Sequence, residues 1–144
     1  MQIKDILRIK KTKLASTSPD ASIKVAIDLL NQHNIGALPV CDANNKVVGI
    51  LSERDIVRWL SKNVLNFENV KVSGLMTSNV VTCTEDFELV DVMSLMNERG
   101  IRHMPVVSGG KLISMVSSRD IMHTLLEDMK AYATKMTLNY EIMR

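Results

Sequence analysis

The chain repeats itself at an offset of 66 residues, and that repeat limits its fold more than any other feature. Ile23, Ala26, Ile27 and Leu30 stand at i, i+3, i+4 and i+7, the apolar stripe of an amphipathic helix. Leu89, Val92, Met93 and Met96 repeat it. Ile35-Gly36-Ala37-Leu38-Pro39-Val40 returns as Ile101-Arg102-His103-Met104-Pro105-Val106. After a one-residue deletion in a turn, Lys46-Val47-Val48-Gly49-Ile50-Leu51 matches Lys111-Leu112-Ile113-Ser114-Met115-Val116. The segments leading into each copy correspond more loosely, Ile3-Lys4-Asp5-Ile6-Leu7 with Val72-Ser73-Gly74-Leu75-Met76. A repeated unit buries its apolar face against its neighbour. A copy of roughly 60 residues is marginal alone, whereas a chain of 144 residues buries roughly 68–70% of its unfolded surface. The two copies are therefore expected to fold as one interdependent unit.

Each copy reads as an α/β unit. Ser18-Pro19-Asp20 and Thr84-Glu85-Asp86 carry helix-start chemistry, and the helices are expected to end near Asn34-Ile35-Gly36 and Arg99-Gly100. Short strands follow over Leu38–Cys41 and Met104–Val107, with a proline suited to an edge or a strand start. Asp42-Ala43-Asn44-Asn45 and Ser108-Gly109-Gly110 then turn the chain into hairpins. Ser52 and Ser117 open the second helix of each copy. In copy one this helix is expected to bury Ile56, Val57 and Leu60, with Trp59 at a helix–helix or subunit contact. The polar stretch 61–71 reads as a linker. Ile121, Leu125, Met129 and Tyr132 continue a helical stripe past the point where copy one stops, as a packing or dimerisation helix would. The expected divisions are 1–65, 66–126 and a helical extension over 127–144.

Several function classes find no support. A net charge of +2 and 3% aromatic residues leave neither the basic face nor the stacking platforms of a nucleic-acid binder. Met1-Gln2-Ile3-Lys4-Asp5 lacks the apolar run of a secretory signal, and no run of eighteen apolar residues points to a membrane span. Cys41 and Cys83 have no metal-ligand or redox spacing, so a reduced, cytoplasmic protein is expected. His33, His103 and His123 form no metal-binding pair. Gly109-Gly110-Lys111 joins two strands, whereas a phosphate loop opens a helix. No nucleophile elbow is present. The chain is expected to be neither an enzyme nor a metal protein.

One chemical motif remains, and it occurs twice: Ser52-Glu53-Arg54-Asp55 and Ser117-Ser118-Arg119-Asp120, each at a strand-to-helix corner. Serine at N-cap with an acid three residues on satisfies orphan helix amides, stabilising by roughly 0.5–2 kcal/mol. The same corner suits a nucleotide. Free amides and the helix dipole attract phosphate, the serine hydroxyl donates to it, and arginine pairs with it by charge. The carboxylates of Asp55 and Asp120 can accept from both hydroxyls of a ribose. The two roles can coexist in different states of one side chain.

The ordered set formed by the repeated unit, Ala-Leu-Pro-Val, His-Met-Pro-Val and Gly-Ile-Leu-Ser-Glu-Arg-Asp resembles a tandem pair of CBS domains, a Bateman module, over essentially residues 1–126. The resemblance implies duplicated β-α-β-β-α units packed sheet to sheet with pseudo-two-fold symmetry, of the stand-alone bacterial type without a fused enzyme. It implies adenine nucleotides in the clefts between copies, with Asp55 and Asp120 on ribose and Ser52 and Ser117 on phosphate beside Arg54 and Arg119. Backbone groups of Ile35–Ala37 and Ile101–His103 would read the adenine edge, or these residues simply lead a strand into the core. Thr77 matches a position that often contacts ligand, or is a turn hydroxyl. Copy two carries Ser114 for Gly49 and Arg102-His103 for Gly36-Ala37, residues that either favour phosphate or fill the cleft. The implied protein is a homodimeric regulatory sensor of AMP, ADP, ATP, NAD(H) or S-adenosylmethionine that needs no cofactor and acts on an unidentified protein. The alternative is a ligand-independent dimerisation scaffold.

Overall fold

Ser22 and Glu88 set where the first helix of each copy begins. In the computed structural model, which describes residues 1–10, 14–62 and 67–144, Ser22 Oγ accepts from the Val25 amide at 3.2 Å and α2 runs Ile23–His33. The matching helix α4 runs Leu89–Arg99 from Glu88. Both start later than the sequence suggests. Ser18 and Thr84 close turns instead, through Ala21 N–H to Ser18 O at 3.2 Å and Phe87 N–H to Thr84 O at 3.3 Å. The Thr84 hydroxyl spends itself on Asp86 rather than on a helix amide. Both helices end on a left-handed residue, Asn34 (φ 50°) and Gly100 (φ 64°). Ile35 and Ile101 then donate back to Leu30 O and Met96 O, which turns each chain toward its strand.

The strands form two antiparallel hairpins, β1 (Ala37–Cys41) with β2 (Val47–Ser52) and β3 (His103–Ser108) with β4 (Lys111–Ser117). Their registers correspond: Pro39 faces Ile50 and Pro105 faces Met115, with a shift after Val40 and after Val106. The leading strand of each unit is a single parallel bridge, Thr17 to Val40 and Cys83 to Val106. The two hairpins meet where Leu112 N–H donates to Asn45 O at 3.0 Å and Asn45 Nδ2 donates to Leu112 O at 3.1 Å. The fold is the mixed α/β arrangement of two like units.

The lead-in segments are exchanged between copies. Helix α1 (Ile3–Ile9) precedes copy one, yet Ile3 and Ile6 sit in the copy-two core with Leu89, Val92, Met104 and Val116. Backbone bonds from Ile3 to Phe87 O and from Lys4 to Glu85 O, both 2.9 Å, fix it there. Reciprocally, Val72 and Leu75 lead into copy two and complete the copy-one core of Ile23, Leu30, Leu38 and Leu51. Neither core closes without residues from the other repeat.

The second helix of copy one, α3 (Glu53–Lys62), lies more shallowly than the apolar count suggests. Ile56 and Trp59 pack on the copy-one core, but Val57 is 65% exposed and Leu60 is 45% exposed. The inward face is centred on Asp55, Ile56 and Trp59, and at 3.6 residues per turn Val57 points nearly opposite. Trp59 meets Phe67 edge-on, with ring centroids 5.8 Å apart, inside its own chain. The stretch read as a linker thus contributes Phe67 and Val70 to packing, while its residues 63–66 lie outside the described ones. Helix α5 (Ser118–Ile142) buries Ile121 and packs Leu125 on the copy-two core. Met129 and Tyr132, which extend the same stripe, are exposed.

Burial pushes the Cys83 thiol up to about 11, and burial followed by the charge of Asp42 raises that of Cys41. Both therefore remain thiols and act as small apolar residues. No described helix is long and apolar enough to cross a membrane.

Candidate functional site

Each hairpin delivers its last residue, a serine, straight into a helix start, and the two corners are built alike. In copy one the Ser52 amide donates to Asp55 Oδ2 at 2.9 Å, and the Asp55 amide donates to Ser52 Oγ at 3.2 Å. In copy two Ser117 N–H donates to Asp120 Oδ2 at 3.0 Å, and Asp120 N–H to Ser117 Oγ at 3.1 Å. Both are reciprocal capping boxes, so the structural role expected of these pairs is present twice. The strand starts lie beside them: Glu53 N–H donates to Gly36 O at 3.0 Å, and Ser118 N–H to Arg102 O at 2.9 Å. Ile35 and Ile101 are half-buried next to these carbonyls, while Ala37 turns its side chain into the protein, leaving only its backbone for recognition.

A second polar group reaches each aspartate from an exchanged lead-in, and here the copies part. Thr77 Oγ1 donates to Asp55 Oδ1 at 3.3 Å, and the Thr77 backbone exchanges two 2.9 Å hydrogen bonds with Ile50. Gly49 makes that approach possible, because a Cβ there would lie 2.6 Å from Met76 Sδ and 3.2 Å from Thr77 O. In copy two the corresponding strand residue is Met115, and Lys10 reaches it. Lys10 Nζ donates to Met115 O at 2.5 Å and to Asp120 Oδ2 at 2.9 Å. Lys10 is a site residue that the motif did not reveal. Only an alignment of the loosely matching lead-ins, with Lys10 set against the residues around Thr77, could have pointed to it.

Burial raises the carboxyl of Asp120, but Lys10 and the Ser117 amide and hydroxyl together outweigh it and hold it below the usual carboxylate range. His103 sits between the copies. Its Cε1 lies 3.2 Å from where a Cβ on Gly36 would stand, and Glu53 Oε2 is 3.7 Å from the same point. Copy one thus leaves room for the copy-two histidine. Burial, then Arg102, lowers the His103 pKa; Lys10 adds to this, while Asp120 and Glu53 oppose it. Arg54 and Arg119 follow their serines on the exposed side of each corner.

The His103 shift has a measurable consequence. A histidine with a folded pKa below its unfolded 6.5 binds fewer protons folded than unfolded, so stability is fully present above 6.5. It falls as pH drops through the lower folded value. Urea midpoints measured between about pH 5 and 7 should decline toward acid, and His103→Asn should flatten that slope. An unchanged slope in the variant would remove His103 as its source.

The structure brings together Ser52, Asp55 and Thr77 at one corner and Ser117, Asp120 and Lys10 at the other, with Ile35–Ala37 and Ile101–His103 at the adjoining strand starts. The CBS domain family matches residues 3–62 and again 72–127. An uncharacterized 17.7 kDa protein of Acidianus ambivalens is 38% identical over 123 residues, spanning 85% of this chain and 73% of its own. The crystal structure of the CBS-domain containing protein ATU1752 from Agrobacterium tumefaciens is 34% identical, with a TM-score of 0.80 over 86% of this chain and 98% of that one. The CBS domain pair of protein MJ0100, solved in complex with 5'-methylthioadenosine and S-adenosyl-L-methionine, is 29% identical, with a TM-score of 0.75 over 89% of this chain and 98% of that one. Other curated relatives are longer, and the chain spans 33% to 66% of three of them. Two family matches in tandem, falling on the two structural copies, identify the chain as a member of the CBS-domain family, carrying a CBS pair.

Proposed function

We propose that this CBS pair is a regulatory sensor that binds adenosine-type ligands at its two Ser/Asp corners and acts, as a homodimer, on a protein partner. The observation that carries the reading is the supply of a second polar group to each aspartate from an exchanged lead-in, Thr77 to Asp55 and Lys10 to Asp120. A pure cap needs only the serine and the acid. The solved complex of the related MJ0100 pair with two adenosyl compounds supports the ligand class.

In this reading ribose hydroxyls replace the serine and threonine hydroxyls on Asp55, and a phosphate takes the freed helix amides and Ser52 Oγ. Strand-start backbone at residues 35–37 and 101–103 meets the adenine. Copy two, with Lys10, Arg119 and a neutral His103, favours phosphorylated ligands. Copy one, with Thr77 in place of a cation, accepts an uncharged or sulfonium-bearing adenosyl group. Because Thr77 pairs with Ile50 of the other repeat, a ligand on Asp55 alters a contact between the repeats. It shifts their arrangement only by its differential affinity for the two forms.

Calorimetric titration with AMP and with its 2',3'-dideoxy analogue tests the ribose role. A hydrogen bond to a charged acceptor contributes about 1.5–3 kcal/mol, so the analogue should bind at least ~10-fold more weakly. Equal affinity would show that the aspartates do not read ribose. The rival scaffold reading draws on the complete capping boxes and on the exposed end of α5; in it neither compound binds.

A further inference from the structure

His103 opens β3 directly opposite Ser117, the cap of α5, so both side chains leave the same face of the hairpin. In copy one the matching pair is Ala37 and Ser52, and Ala37 carries no group that can hold a proton. The imidazole crosses to the other repeat. Its Cε1 and Nε2 lie 3.2 and 3.5 Å from where a Cβ on Gly36 would stand, and Glu53 Oε2 lies 3.7 Å from that point. Gly36 O in turn accepts from the Glu53 amide. The half-buried ring thus stands between the two helix corners. Four charged groups face it: Arg102 of its own strand, Lys10 beyond α1, Asp120 of α5 and Glu53 of α3. Burial, Arg102 and Lys10 oppose a proton on the ring and outweigh Asp120 and Glu53, which favour one, so the free ring is neutral at pH 7.

We infer that His103 links the binding of phosphorylated ligands to proton uptake: a phosphate at the Ser117 corner draws a proton from solvent onto the imidazole. The inference rests on the ligand class proposed above and adds its pH dependence. A phosphate held by Ser117 Oγ and the first amides of α5 stands beside residue 103, on the face from which the ring projects. It engages Lys10, whose charge otherwise opposes the proton. It also faces the Glu53 carboxylate across the ring, and a protonated ring partners both anions. Adenosine brings no charge and leaves the ring neutral. Because linkage is reciprocal, acid strengthens the hold of His103 on a phosphorylated ligand and has no such effect on adenosine.

Proton NMR of the full chain reads the ring directly. His33→Gln and His123→Gln, both outside the corners, remove the other two imidazole signals in turn and so assign that of His103. With saturating AMP its titration midpoint should move up by about one pH unit or more, as an opposite charge within ~4–6 Å produces, while adenosine leaves it in place. The ratio of AMP affinities between the unsubstituted chain and His103→Asn should then widen toward acid, by up to about tenfold for each pH unit of that movement. Titration of AMP's own phosphate cancels in the ratio. A midpoint that bound AMP leaves in place, or that adenosine moves as far, overturns the proton link and leaves the sensor standing. Failure of both compounds to bind removes the sensor reading itself, and this inference with it.

Discussion

Ile3→Ala is expected to destabilise the whole protein by about 2–5 kcal/mol, a core-sized effect from the third residue of the chain. Terminal residues are ordinarily tolerant, because few contacts hold them. Ile3 is different. It is 0% exposed, lies among Leu89, Val92, Met104 and Val116 of the other repeat, and its amide is bonded to Phe87 O. Truncation leaves a cavity in a close-packed core and loosens the tie between α1 and copy two. Ile9→Ala is the control: Ile9 ends the same helix at 70% exposure, so its replacement should stay within about 0.5 kcal/mol. Urea midpoints of the two variants decide the matter. If Ile3→Ala shifts the midpoint no more than Ile9→Ala, the lead-ins are not exchanged.

Lys10→Ala should affect stability, acid resistance and ligand choice together. The Lys10–Asp120 pair is neither surface nor fully buried, with side chains 24% and 33% exposed. Losing the cation should cost about 1–3 kcal/mol, between the ~0–1 of an exposed pair and the ~3–5 of a buried one. Asp120 is held below 3.8 in the folded state, so its contribution is present above 3.8 and disappears as pH falls through the lower folded value. Without Lys10 that margin shrinks, and acid unfolding should begin at higher pH. On the ligand side, copy two loses its cation for phosphate, and Asp120 keeps only its Ser117 partner. ATP affinity there should fall roughly tenfold while adenosine affinity holds or rises, because a hydrogen-bonded charge contact contributes about 1.5–3 kcal/mol. Parallel losses for ATP and adenosine would mean that Lys10 supports the fold without selecting phosphate.

The features set by local periodicity and turn chemistry were legible in the sequence. The 66-residue repeat, the hairpins, the serine corners and the stripes of α2 and α4 all follow from residue types at fixed spacing. The parts decided by long-range packing were hidden. An apolar stripe such as Ile3 and Ile6 states that it will be buried, not which core receives it. Val57 and Leu60 counted as apolar, but the shallow seat of α3 turned them outward. The helix starts slipped because Ser18 and Thr84 found turn partners and left the start to Ser22 and Glu88. Lys10 was invisible because nothing in its neighbourhood marks a lysine that crosses 110 residues of sequence to reach Asp120. The Gly49/Ser114 difference, legible from the start, acquired its reason only when Met76 and Thr77 were found pressed against Gly49.

Thermal unfolding against AMP, ADP, ATP, NADH and S-adenosylmethionine tests ligand recognition by the aspartate corners most directly. A ligand at about 100 times its dissociation constant stabilises by roughly 2.7 kcal/mol. In a chain of this size that is a shift of about 5–10 °C. Such a shift is expected with at least one of the five, and its reduction in Asp55→Asn or Asp120→Asn, whose amide oxygen can still accept from the Ser52 or Ser117 backbone N–H of the capping box. No shift with any of them, or a shift that both variants keep in full, would contradict ligand recognition and leave the two corners as helix caps alone.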